Sequence, residues 1–113
     1  MARQAIKITG DPDLLKKTVT ALNNLMVGLM DKNFEEQQPE AHLNLPDNII
    51  ILVHGKNDMK AVLSRVANTF KDLNATASKT KFGSRYSYKK DDSEVLAIVA
   101  MSEVDAYERN WNI

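Results

Sequence analysis

The chain has 113 residues, of which 43% are hydrophobic and 27% charged, and its 15 basic residues balance its 15 acidic ones. This length and composition predict one globular domain and argue against a disordered chain. The neutral charge argues against a strongly basic nucleic-acid binder, and the absence of cysteine argues against a disulfide scaffold or a thiolate zinc site. The longest fully apolar run, residues 49–53, is far too short to span a membrane, so we expect a cytoplasmic protein that makes no membrane contact.

The first predicted elements are a short strand over residues 5–9 and a long helix over residues 12–32. Asp11 and Pro12 mark the helix start, because an aspartate accepts hydrogen bonds from the free amides of the first turn and proline suits the first helical position. Apolar residues then recur at steps of three and four, which predicts one buried helix face. They are Leu15, Val19, Leu22, Met26 and Leu29.

Residues 33–47 are predicted to be a long acidic connecting loop within a single domain, residues 1–113. The segment carries four acidic residues and no lysine or arginine: Glu35, Glu36, Glu40 and Asp47. Loops of this length are often functional. Leu43 and Leu45 alternate with polar residues, so a short extended piece that packs on the domain stays open as an alternative.

The middle of the chain predicts a second strand and a second helix. Residues 49–53 are apolar on both faces, which favours a central position in a sheet. Gly55 ends this strand, and Asn57 is predicted to cap an amphipathic helix that ends near Asn74.

The last third of the chain predicts a hairpin and a short helix. A period-two alternation over residues 76–88 predicts one strand, bent at Gly83. A turn at residues 90–93 joins it to an apolar strand over residues 95–101, so the two are expected to pair antiparallel. Ser102 with Asp105 three positions later resembles a capping box and predicts a terminal helix.

Together these elements predict an α/β (α+β) fold with β-α-β-α-β-β order, in which two amphipathic helices pack on a four-stranded mixed sheet. The first two strands are expected to be parallel and joined by a right-handed crossover, and the last two antiparallel. The two helices can cover one face of the sheet or straddle it.

The basic segment 79–90 is the first candidate site. Cations neutralise phosphates and aromatic rings stack on bases in single-stranded nucleic-acid sites. The candidate contacts for nucleic acid or an acidic partner are Lys79, Lys81, Arg85, Tyr86, Tyr88 and Lys89. In a regular strand the cations would share one face and the aromatic residues the other, so the segment also fits an exposed edge whose cations block sheet-to-sheet pairing.

The turn after the second strand is the second candidate site. Ligands bind beyond the carboxyl ends of parallel strands, and helix N-termini offer free amides to an anion. The candidate anion-binding residues are His54, Gly55, Lys56 and Asn57. The turn matches no phosphate-binding motif, so its alternative interpretation is a helix cap next to a turn glycine.

The sequence shows no nucleophile–base pair, metal cluster or phosphate loop, so we predict no catalytic residue, metal or cofactor and do not expect an enzyme. The leading hypothesis is a non-catalytic binding or assembly module that acts through protein surfaces and self-associates as a homodimer. The alternatives are a nucleic-acid-binding accessory protein using residues 79–90 and a small anion- or metabolite-binding domain at the turn around Gly55. The acidic segment 33–47 and the basic strand are complementary in charge, and can meet within one chain or between two copies.

Overall fold

A computed structural model of the protein describes residues 3–32 and 39–113. Within them the strands are β1 (Arg3–Gly10), β2 (Glu40–Asn44), β3 (Asn48–His54), β4 (Asn74–Lys79), β5 (Gly83–Lys90) and β6 (Ser93–Ser102). The helices are α1 (Pro12–Lys32), α2 (Gly55–Thr69) and α3 (Glu103–Glu108). The strands form one antiparallel sheet in the order β2-β3-β1-β6-β5-β4, so the fold is a single α+β domain.

Helix α1 has the predicted bounds, and its capping explains where it begins. One carboxylate oxygen of Asp11 accepts hydrogen bonds from the backbone amides of Asp13 and Leu14, at 3.1 and 3.3 Å. These two amides lack partners within the helix, so the cap satisfies groups that would otherwise depend on water. Leu15 and Leu22 on the predicted apolar face are buried against the sheet.

The sheet has six strands rather than four, and the predicted parallel pairing of β1 with β3 is wrong. The two strands are antiparallel neighbours, with Ile6 opposite Ile51. The reason is β2, which forms within the segment predicted to be a loop; residues 33–38 of that segment lie outside the described residues. Strand β2 runs parallel to β1 after the chain crosses over through α1. The turn after β2 then reverses the chain, so β3 runs antiparallel to β1.

The predicted single strand over residues 76–88 is also wrong, because β4 and β5 form a hairpin there. Lys79 lies opposite Ser84, and the amide of Thr80 donates a hydrogen bond to the carbonyl oxygen of Gly83 at 2.9 Å. Gly83 is required by packing, because a Cβ atom there would lie 1.9 Å from the carbonyl oxygen of Ala100 in β6. Strand β4 therefore becomes an additional outer strand.

The predicted hairpin of β5 and β6 and the predicted terminal helix are confirmed. Asp91 and Asp92 connect the two strands with φ angles of 52° and 66°, which match the type I′ turn that suits a two-residue loop. The Ser102 hydroxyl accepts a hydrogen bond from the amide of Asp105 at 3.1 Å, which caps α3.

Helices α1 and α2 lie on the same face of the sheet, which we call the helix face. Its core includes Ile6, Ile51 and Ile98 from three neighbouring strands. The opposite face, the second face, is covered by α3 and the C-terminal residues, where Trp111 is only 8% exposed. The Nζ atom of Lys7 lies 5.3 Å from the centre of the Trp111 ring, a cation–π contact.

Candidate functional site

The outer strand β4 presents an open backbone edge. All six of its residues are exposed. Backbone amide and carbonyl groups point alternately to either side of a strand, and the Thr80 amide points toward β5. The outward-facing backbone groups therefore belong to Ala75, Ala77 and Lys79. Between Asn74 and Ser78 every side chain is small or uncharged, so this stretch lacks the charges and proline that commonly block pairing, and Lys79 at its end is the charged residue of the strand.

The opposite outer strand, β2, presents the second edge. The carbonyl oxygen of Asn44 accepts a hydrogen bond from the amide of Asp47 at 2.8 Å, so the backbone groups of Asn44 face β3. By alternation, those of Ala41 and Leu43 face outward. The Leu43 side chain is 54% exposed and that of Leu45 is 41% exposed. This edge therefore combines unpaired backbone with exposed apolar side chains.

An apolar groove lies between β2 and α1. Its volume is about 270 Å³, and Asn23 supplies the polar side chain of a lining that is otherwise hydrophobic. The lining residues are Val19, Leu22, Asn23, Met26, Pro39, Ala41, Leu43, Ile49 and Ile51. Val27, 52% exposed on the same helix, adds apolar surface on α1. The apolar surface of β2 thus continues onto the adjoining helix.

The predicted cationic face of the basic segment is only partly formed, because the β4–β5 hairpin separates Lys79 and Lys81 from the face that Arg85 and Lys89 share. Residues directly opposite in a ladder point to the same face. Lys79 is opposite Ser84, which points with Ala100 to the helix face, whereas Arg85 is opposite Val99 on the second face. Lys81 lies in the loop. The expectation that Lys79 and Arg85 share a face is therefore wrong.

Arg85 is already engaged by an acidic partner. Its Nη2 atom lies 2.6 Å from Oε1 of Glu94 on β6. A hydrogen bond from Ser87, and after it the hydrogen bond and charge of Arg85, hold the pKa of the Glu94 carboxyl below its usual value. Lys89, which is exposed, adds a smaller effect in the same direction. Binding of a phosphate to Arg85 would compete with this ion pair.

The two tyrosines of the basic segment belong to the core rather than to a stacking surface. Tyr88 is only 4% exposed and contacts Phe70 edge to face, with the ring centres 6.5 Å apart. Its burial raises the pKa of the Tyr88 hydroxyl. Tyr86 is partly buried against the same cluster. Neither ring is presented with the cations in the way that single-stranded nucleic-acid sites present theirs.

The predicted anion site lies at the start of α2, but its cap differs from the prediction. The helix begins at Gly55, with a φ of 82°, so His54 occupies the cap position and Asn57 lies inside the first turn. The His54 side chain makes no capping hydrogen bond. Lys56 and Asn57 are exposed, and Asp58 is buried in the same turn, which places a carboxylate close to any anion at these amides. None of the four predicted residues lines the apolar groove described above.

A polar network joins β1, β2 and α3 on the second face. The Nε atom of Arg3 donates a hydrogen bond to Glu103 at 3.0 Å, and its Nη1 atom lies 3.5 Å from Glu40. His42 lies 2.6 Å from the other carboxylate oxygen of Glu40. The hydrogen bond with His42, and then the charge of Arg3, lower the pKa of the Glu40 carboxyl. The network joins β2 to β1 and α3.

A second cavity, of about 360 Å³, lies where the start of α1 meets the end of α2 and the β5–β6 turn. Its charged lining residues are Asp11, Lys17, Asp72 and Lys90. Asp11 is used as the helix cap, and the two signs of charge are mixed. No sequence motif marks this cleft, because its walls come from three separate segments.

Residues 3–32 and 39–113 contain neither a metal site nor a membrane-spanning helix. No group of three histidine, aspartate or glutamate side chains there is arranged to hold a metal ion. No helix in the same ranges is long and apolar enough to cross a membrane. Comparison with protein-family models, with curated proteins and with solved structures found no match.

Sequence reasoning missed Ala75 and Ala77, and it named Leu43 only as part of an alternative extended piece and not as an open edge. Their side chains carry no distinctive chemistry, because an edge acts through its backbone. One signal was present: Asn74–Ser78 is a run of small or uncharged residues before Lys79, and residues 80–82 form the loop after it.

Proposed function

We propose that this protein is a non-catalytic assembly module that self-associates through the open edges of its sheet. One observation carries the proposal: β4 is an outer strand whose six residues are all exposed and whose outward amide and carbonyl groups have no strand beside them among residues 3–32 and 39–113. Natural proteins usually protect such an edge with charges, bulges or a covering segment. Here the middle of β4 has no such device, as expected of a strand that pairs with a partner strand.

The second edge supports the same function. Leu43 and Leu45 are large apolar side chains that stay substantially exposed beside the unpaired backbone of β2. Burial of such side chains stabilises an interface by about 25 cal/mol per Å² of apolar surface removed from water. The two edges therefore offer both components of strand pairing, backbone hydrogen bonds and apolar contact.

The mass of the protein in solution tests this function. In sedimentation equilibrium across a dilution series from high to low micromolar protein, the average mass should rise above that of the monomer as concentration increases. A monomer at every concentration would refute self-association. Ovalbumin or another monomeric protein, run in the same buffers, controls for non-ideal behaviour at high concentration.

A further inference from the structure

We infer that copies of this chain associate head to tail, with β4 of one copy pairing antiparallel with β2 of the next. The inference rests on the proposed function and names the two edges that meet. It predicts an interface in which the two copies contribute different surfaces. Repetition of this interface gives an assembly that closes into a ring or continues as a filament.

The first argument is charge. Residues 39–47 at the β2 edge carry Glu40 and Asp47 with no lysine or arginine. Residues 71–81 at the β4 edge carry three lysines and one aspartate, namely Lys71, Lys79, Lys81 and Asp72. The two strands lie at opposite ends of the six-stranded sheet, about 24 Å apart at the usual spacing between strands, so their charges cannot meet within one copy. Between two copies they attract.

The second argument is the direction of the strands and the side of the sheet. Because every neighbouring pair is antiparallel, β2 and β4 run in opposite directions, so two copies placed side by side in one orientation bring them together antiparallel. In both strands, the residues whose backbone groups face outward have side chains that point to the helix face. Leu43 lies opposite Ile49, and Ala77 lies opposite Tyr86, and both of these partners point to the helix face. A continuous ladder therefore forms with all long helices on one side.

The third argument is the register. Pairing of Leu43 with Ala75 of the next copy sets residues 40–44 of β2 against residues 74–78 of β4. The same register sets Glu40 opposite Ser78, next to Lys79 in the chain, with Glu40 pointing to the second face and Lys79 to the helix face. The acidic strand then lies against the basic segment, and the exposed side chain of Leu43 gains Ala75 as an apolar neighbour.

The main competing arrangement is two-fold pairing of β4 with a second β4. The backbone permits it, but it sets one basic edge against another and brings Lys71 of one copy near Lys81 of its partner. Like charges at this distance repel. It also leaves Leu43 and Leu45 exposed, so charge and apolar burial both favour the head-to-tail arrangement.

Disulfide cross-linking of single-cysteine variants distinguishes these arrangements, because the natural chain contains no cysteine. Directly opposite residues in a hydrogen-bonded antiparallel pair have Cα atoms about 5.5 Å apart, within the range that a disulfide spans. Leu43→Cys, carrying a tag that changes its mass, is mixed with Ala75→Cys or Ala77→Cys and oxidised. Tyr107→Cys, on a residue that is 70% exposed on α3, controls for random collision.

Head-to-tail pairing predicts that cross-links between Leu43→Cys and one of the β4 variants form several-fold faster than any cross-link of a variant with itself. Dominant self-cross-linking of Ala75→Cys or Ala77→Cys would overturn it in favour of two-fold pairing. Cross-linking no faster than with Tyr107→Cys, in a protein whose natural form is oligomeric, would overturn the edge pairing and leave self-association standing. A natural chain that is monomeric in sedimentation would instead remove the proposed function itself.

Discussion

The amide of Thr80 donates a hydrogen bond to the carbonyl oxygen of Gly83 at 2.9 Å across the loop that joins β4 to β5. This bond shows which backbone groups of β4 point toward β5 and which point outward, because the direction of these groups alternates along a strand. It assigns Thr76 and Ser78 to the inner side and Ala75 and Ala77 to the open edge.

The first prediction follows from this alternation and concerns two proline substitutions. Thr76→Pro removes an amide that faces β5, so we expect a loss of about 1–3 kcal/mol in the free energy of unfolding. Ala77→Pro removes an amide that faces outward, and proline is tolerated on edge strands at such positions, so its loss should be smaller. Urea unfolding of the dilute protein measures both. An equal or larger loss for Ala77→Pro would show that the assignment of the edge is wrong.

The second prediction concerns two glycines in opposite situations. Gly83→Ala places a Cβ atom against the carbonyl oxygen of Ala100 in the neighbouring strand, so we expect a destabilisation of about 1–3 kcal/mol. Gly28→Ala meets nothing within 4 Å and replaces a poor helix former inside α1, so it should stabilise by up to about 1 kcal/mol. Thermal or urea unfolding compares both variants with the natural chain, and changes of the same sign would contradict the close approach of β5 to β6.

Much of the fold followed from the sequence where the signal was local. Helix α1 begins and ends where the Asp11 cap and the apolar periodicity predicted. The hairpin at Asp91 and the α3 cap at Ser102 are also confirmed, because turns and caps depend on a few adjacent residues.

The wrong predictions share a different cause, because each of these features depends on how separate segments of the chain pair with one another. Strand β2 is short and mostly exposed, so it lacks the apolar run that marks a strand. The alternative of a short extended piece there is confirmed, but the predicted element order left it out, which inverted the predicted direction of β3. The alternation over residues 76–88 continues through the loop at residues 80–82, so it resembles one strand although the chain reverses there. The candidate cations were predicted to share one face because residues 76–88 were predicted to be a single strand. The open edges could be identified only once the strand order was known.

The third prediction concerns the stability of the fold at acidic pH. The pKa of the Glu94 carboxyl is lowered in the folded protein by a hydrogen bond from Ser87 and then by Arg85. A lowered pKa stabilises the fold above the unfolded-state pKa of about 4.3, and this stabilisation is lost as pH falls through the lowered value. We therefore expect Glu94→Gln to be less stable than the natural chain at neutral pH, with the difference shrinking below about pH 4. The effect should be small, because both partners are more than a third exposed.

Urea midpoints measured from neutral to acidic pH check this prediction. Glu108→Gln, at an exposed carboxylate on α3, is the matched control for loss of one negative charge. A difference between Glu94→Gln and the natural chain that stays constant with pH would show that the Glu94 interactions do not stabilise the folded state.

The fourth prediction concerns the basic segment, for which nucleic-acid binding stays a hypothesis. Lys79 and Lys81 are exposed, whereas Arg85 is paired with Glu94, so reversal of Arg85 would disturb the fold as well as any contact. If this segment contacts phosphates, Lys79→Glu with Lys81→Glu should weaken oligonucleotide binding at low salt and reduce its salt dependence. Fluorescence anisotropy with labelled single-stranded oligonucleotides across a salt series measures both quantities.

The same double variant separates nucleic-acid binding from assembly. Lys16→Glu with Lys60→Glu, on the exposed sides of α1 and α2, makes an equal change in net charge away from the β4 edge. An assembly role predicts that only the β4 double variant weakens self-association, and that added salt weakens the natural oligomer. Equal effects of the two double variants would assign the change to net charge rather than to this edge.

The most direct test of the central claim compares the mass of the natural chain with that of Ala77→Pro at the same high micromolar concentration by sedimentation velocity. Pairing through β4 predicts that the natural chain sediments as an oligomer and that Ala77→Pro, which keeps its internal hydrogen bonds but loses one outward donor and gains a steric block, sediments mainly as a monomer. An Ala77→Pro variant that is folded and associates as strongly as the natural chain would contradict assembly through this edge.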